Sequence, residues 1–95
     1  MLFAIHAIDR PGAVPNRLAN YEAHKAFLSD TSRFGVEIVM SGPLVSDDGQ
    51  TMIGSLFLIE APGRPEVEAF NRADPFAAAD IWEKVSITGF IRRQG

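Results

Sequence analysis

Leu2 to Ile8 alternates two sets of side chains, Phe3, Ile5 and Ala7 against Leu2, Ala4, His6 and Ile8. Both sets are largely apolar, which is the pattern of a central strand covered on both faces. Pro11, Gly12 and Pro15 in "DRPGAVPN" break that strand and open a loop. From Asn16 to about Phe34 the period turns helical, with Glu22, Lys25, Ser29 and Arg33 on one side and Asn20, His24, Phe27, Leu28 and Thr31 on the other. Gly35, which adopts a left-handed backbone at little cost, is placed to end this helix.

"VEIVMSGPL" predicts a second strand, rich in β-branched residues until Gly42-Pro43 interrupts it. The Asp-Gly of "SDDGQ" signals a hairpin turn, and "TMIGSLFLIE" returns as a third strand antiparallel to the second. "APGRP" breaks the chain again, Glu66 to Ala73 reads as a short helix with Val67 and Phe70 inward, and "KVSITGFIRR" alternates as a last strand. The order β-α-β-β-α-β predicts an α+β, ferredoxin-like fold, a four-stranded antiparallel sheet with two helices on one face. The other face remains apolar, so it is expected to be covered by a second copy, sheet against sheet, as a homodimer.

The chain has 95 residues, which suits one small domain spanning 1–95. A chain this short leaves much apolar surface uncovered, which strengthens the expectation of a partner subunit. Cysteine is absent, which removes disulfides, thiol nucleophiles and thiolate metal sites together and makes the cytosol the expected compartment. No segment approaches the roughly 18 apolar residues needed to span a bilayer, so no membrane association is expected. A net charge of -3 lacks the clustered Lys and Arg that a nucleic-acid binder requires.

Candidate chemistry starts with the histidines. His6 lies mid-strand, where a hydrogen-bonded structural imidazole is the simpler reading. His24 lies on the sheet-facing side of the first helix, two turns after Arg17. A structural helix would place Leu or Val at such positions, and burying ionisable groups costs several kcal/mol unless partners compensate them. The candidate partners are Asp9 after the first strand and Asp74, whose following proline pushes it toward an extended backbone and fixes its side-chain direction. Ser41, Gly42 and Pro43 offer a hydroxyl and a glycine N–H to a ligand, or else mark a β-bulge. There is no phosphate-binding glycine loop, no helix with metal-spaced histidines and no Gly-x-Ser-x-Gly elbow, so neither a cofactor nor a metal is expected.

These segments resemble the YciI-like (YCII-related) family of small dimeric ferredoxin-like domains, akin to the dimeric α+β barrels. The resemblance runs nearly end to end, through "MLFAIHAID", Arg17 and His24 in an Arg-x6-His helix, "MSGPL", "IGSLFLIEA" and "ADPFAAADIWEKVSI". The Ala-Asp-Pro-aromatic segment is its most specific part. It implies a site centred on His24 and Asp74, lined by Arg17, Asp9 and Ser41, in a family one of whose members is a dehydrochlorinase acting on a chlorinated hydroxyquinol. The sequence departs from relatives at "SITGF", where a proline often precedes the aromatic, and at Lys25, where Leu often follows the histidine.

On this reading Asp74 accepts a hydrogen bond from His24 and fixes its tautomer, while Phe76 and Trp82 supply an apolar wall. The expected function is acid–base catalysis, elimination or isomerisation, on a small cyclic or aromatic polar substrate, with Arg17 holding an anionic oxygen. The alternatives are a non-catalytic small-molecule-binding domain using the same cleft, and a structural dimer whose polar helix face is an internal hydrogen-bond network.

Overall fold

In the computed structural model, which describes residues 1–95, the chain runs β1 (Leu2–Asp9), α1 (Val14–Leu28), β2 (Glu37–Val45), β3 (Met52–Glu60), α2 (Arg64–Ala73), α3 (Pro75–Ala78) and β4 (Trp82–Phe90). The strands form one antiparallel sheet in the order β2-β3-β1-β4, with the helices on one face. This is the ferredoxin-like α+β fold. β1 sits inside the sheet because its residues are apolar on both faces and its two neighbours satisfy every ladder group.

Alternation along β1 sends Phe3, Ile5, Ala7 and Asp9 toward the helices, and pairing aligns Phe3 with Ile59, Ile5 with Phe57 and Ala7 with Ser55. The core forms on that face from these residues with Phe27, Val67, Phe70, Phe76, Ile81 and Trp82. Phe57, Phe70, Phe76 and Trp82 meet edge-on and Phe27 stacks on Phe70, and burying each such side chain contributes about 1.5–3 kcal/mol. The helix α2 turns Val67 and Phe70, three residues apart, onto this core.

The first helix differs from the sequence-based expectation. It begins at Val14, with Pro15 in its first turn, and ends at Leu28 rather than near Phe34. The cause is local. Asp30 Oδ1 accepts from both the amide and the hydroxyl of Ser32, which draws the chain out of the helix into a separate 3-10 turn, Ser32–Phe34. Gly35 then takes the left-handed conformation, with φ of 68°, and closes that turn instead of the helix.

The second correction concerns Gly42-Pro43, which does not interrupt β2. The strand continues to Val45, and Pro43 pairs opposite Ser55. Proline is tolerated because β2 is an edge strand, whose outer side needs no N–H donor. A bulge does occur, but at Val39: Ile38 pairs with Ile59 and Met40 with Leu58, so one residue is extra. The bulge inverts the parity of the rest of the strand and sends Ser41 and Pro43 to the helix face.

The opposite sheet face carries Leu2, Ala4, His6, Ile8, Met40, Leu44, Leu56, Leu58 and Phe90 by register. No helix covers it, and Met40, Leu56 and Phe90 are exposed.

Candidate active site

The site lies between α1 and the β2–β3 side of the sheet. Arg17, His24 and Phe27 are the three buried residues of α1, spaced seven and three apart, so one stripe of the helix carries two ionisable groups into the interior. Each finds a carboxylate.

His24 Nδ1 lies 2.7 Å from Asp74 Oδ1, and the Asp74 side chain is 1% exposed. Asp74 is held from two directions. Its backbone is extended, with ψ of 132°, because proline follows, which ends α2 there. The same Oδ1 then accepts the Phe76 amide at 2.9 Å and caps the short α3. A carboxylate engaged in this way accepts a proton-bearing Nδ1, so Nε2 of His24 carries the lone pair in the neutral ring. Nε2 makes no hydrogen bond within the chain. The Phe76 ring stacks on the imidazole, 3.9 Å between centroids and 6° between planes, which fixes the ring plane as the carboxylate fixes its rotation.

Arg17 is bound differently. Its Nε and Nη2 grip the two oxygens of Asp9 at 2.5 and 3.1 Å, and Nη2 also donates to the Gly54 carbonyl and, at 2.6 Å, to Ser55 Oγ. Both side chains are almost wholly buried, 5% and 4% exposed, so each neutralises a charge the other would leave in a dry interior. The guanidinium carbon stands 5.0 Å from the centroid of Phe76, which connects this pair to the one at His24.

A cavity of about 260 Å³ opens between these groups, lined by Arg17, His24, Ser41, Gly42, Ser55 and Phe76 among others. Of the residues expected from sequence, those five besides Ser55 share it. Asp9 does not: it sits behind Arg17 as its counter-charge, because its position on β1 puts it under the guanidinium rather than at the opening. Trp82 also lies off the cavity, packed edge-on against Phe57 and Phe76 at 6.3 and 6.1 Å. Sequence reasoning missed Ser55, although its parity with Phe57 and Ile59 marks a polar residue facing the core, and missed Tyr21, which lines the cavity with Lys25. No three His, Cys, Asp or Glu side chains converge to hold a metal ion.

A ferredoxin-like α+β chain with a cavity between its first helix and its sheet, lined by an imidazole that a buried carboxylate holds from behind, is the class these features define. The chain belongs to the YCII-related family, whose model, the YCII-related domain, matches residues 1–91. It is 30% identical over 98 residues to Protein YciI of Escherichia coli O6:H1 and to that of Shigella flexneri, covering 95% of this chain and 96% of each relative. Among solved structures it is similar to 5-chloro-2-hydroxyhydroquinone dehydrochlorinase (TftG) from Burkholderia phenoliruptrix AC1100, in complex with 2,5-dihydroxybenzoquinone. That likeness has a TM-score of 0.85 and 32% identity over 98% of this chain and 96% of the other. An antibiotic biosynthesis monooxygenase shares the fold alone, at 15% identity and a TM-score of 0.52, over 97% of this chain and all of the other.

Proposed function

We propose that the chain is a small cytosolic enzyme that moves a proton on a small cyclic or aromatic, oxygen-bearing substrate, in an elimination or isomerisation, with His24 as the acid–base group and Asp74 as its orienter. The carrying observation is the 2.7 Å contact from His24 Nδ1 to Asp74 Oδ1 at the wall of a cavity, which leaves Nε2 for the substrate. The likeness to a dehydrochlorinase bound to a dihydroxybenzoquinone supports a ring of that size and an elimination of that type. In such a step Nε2 takes a proton from the substrate, the electron pair moves onto a ring oxygen, and its return expels the leaving group as an anion. Proton transfer by one placed base contributes typically about 10²–10⁴-fold, and a 260 Å³ cavity holds a single ring.

The expected role of Arg17 as the anchor of an anionic oxygen is weakened, because Asp9 already neutralises its charge. We also propose that the open sheet face pairs two copies, since Leu56, Met40 and Phe90 are otherwise exposed beside half-buried Leu2, Ile8 and Leu58. A thermal-shift screen of phenols and small acids, followed by turnover assays on the compounds that stabilise, tests the acid–base reading. His24→Ala is expected to fold, to bind, and to lose turnover by at least about 100-fold. Turnover retained within a few-fold refutes it.

A further inference from the structure

Ser55 carries a hydroxyl hydrogen that no group of the chain accepts. Its side chain is on the helix face of β3, opposite Ala7, and is 3% exposed, yet it lines the cavity. Arg17 Nη2 donates to its Oγ at 2.6 Å. A guanidinium has five donors and no acceptor, so this bond uses a lone pair of Oγ and leaves the O–H unengaged. A hydroxyl that accepts from a cation is also a stronger donor. The Gly54 carbonyl and both Asp9 oxygens accept from Arg17, and no hydrogen bond donated by Ser55 Oγ is formed within the chain. Ser55 lines the cavity, so this hydroxyl hydrogen is available to an oxygen bound there.

We propose that Ser55 is a catalytic residue, the donor to the substrate oxygen on which negative charge gathers when His24 takes the proton, and that Arg17 is a positioning residue acting through it. This rests on the acid–base reading above and assigns the oxygen-holding half of that site. The arrangement places a base and a donor on two walls of one cavity: His24 from α1, Ser55 from β3. As the proton leaves the substrate for Nε2, the electron pair shifts to the oxygen at Ser55, and the hydroxyl donates to it there without transferring its own proton. Asp9 balances the charge of Arg17, which keeps a net cation from trapping the product anion. Ser55 therefore sets a preference for substrates with a phenolic or carbonyl oxygen next to the proton removed.

The probe is 4-nitrophenol, whose ionised form has its own visible absorption band, added at a pH where it is un-ionised in water; nitrobenzene is the control without the phenolic hydroxyl. Wild-type protein is expected to bind 4-nitrophenol and show the phenolate band, its proton held by His24. Ser55→Ala is expected to lower the phenolate-to-phenol ratio of bound probe about 10-fold or more, as loss of a hydrogen bond to a charged group implies, and to leave nitrobenzene affinity within about twofold. Ser55→Thr, which restores a hydroxyl, is expected to recover most of the band. His24→Gln is expected to bind the probe un-ionised. Wild-type affinity and ratio in Ser55→Ala overturn the role of Ser55 and leave the acid–base reading standing. A wild-type protein that binds no probe, or a His24→Gln protein that ionises it normally, overturns both.

Discussion

Asp9→Leu leaves the Arg17 guanidinium buried beside no counter-charge, while the Gly54 carbonyl and Ser55 hydroxyl remain its only partners. With both side chains about 5% exposed, water cannot take the place of the carboxylate without opening the sheet end of α1. Removing one partner of such a pair costs about 3–5 kcal/mol. A chain of 95 residues has a total stability on the order of 5–14 kcal/mol, so the single substitution removes about a fifth of it or more. At about 4–8 °C per kcal/mol the midpoint of thermal unfolding falls by about 12 °C at least. Arg17→Met in the same background removes the stranded charge, and the double variant is expected to regain most of the loss. A residue of about 1–3 kcal/mol remains because the Gly54 carbonyl loses its donor. Urea unfolding followed by circular dichroism over the wild type, both singles and the double measures the coupling directly. Additive effects, or a cost below about 1 kcal/mol for Asp9→Leu, refute the assignment of a neutralised interior pair.

Three further outcomes follow from other parts of the molecule. A methyl group at Gly54 would run into the backbone carbonyl of Ala7 and come within 2.9 Å of Leu44 Cδ1, so Gly54→Ala is expected to cost about 1–3 kcal/mol by urea unfolding and to disturb the carbonyl that Arg17 holds. Asp48 accepts from the Ser46 hydroxyl and the Gln50 amide, which holds its carboxyl below the ordinary aspartate value, chiefly through the hydroxyl. A depressed folded value stabilises above the unfolded value and is lost as pH falls through the folded one, so acid unfolding of Asp48→Ala is expected to be less pH-dependent in that range than that of the wild type. If the open sheet face pairs two copies as proposed, the wild type sediments as a dimer in analytical ultracentrifugation and Leu56→Glu as a monomer; an unchanged sedimentation coefficient removes that face as the interface.

The strands and their order were legible because the alternation of Phe3, Ile5 and Ala7, the Asp-Gly turn, with Gly49 at φ of 73°, and the proline and glycine breaks each act over a few residues. What escaped depends on pairing across the sheet. The bulge at Val39 is a matter of how β2 registers against β3, and nothing in "EIVMSG" marks which residue is extra. The early end of α1 was within reach: Asp30 two residues before Ser32 is a turn-forming pair that competes with the helix. The residues alone left Asp9 and Asp74 both open as partners of the helix, and it was the family resemblance that singled out Asp74 for His24, fifty residues away, while the pairing of Asp9 with Arg17 hid its true place behind the cavity. Ser55 was overlooked because a lone serine next to glycine reads as a weak point in a strand, whereas its parity set it facing Arg17.

Proton transfer at this site requires that Nε2 of His24, bare in the neutral ring, faces the cavity. Nitrogen-15 NMR of the imidazole, in the wild type and in Asp74→Asn, reads that directly. The neutral ring is expected to be protonated at Nδ1 and bare at Nε2, with the Nε2 resonance shifting when 4-nitrophenol fills the cavity, and Asp74→Asn is expected to abolish the tautomer preference. A proton resident on Nε2 in the wild type, or an Nε2 signal indifferent to the ligand, contradicts it.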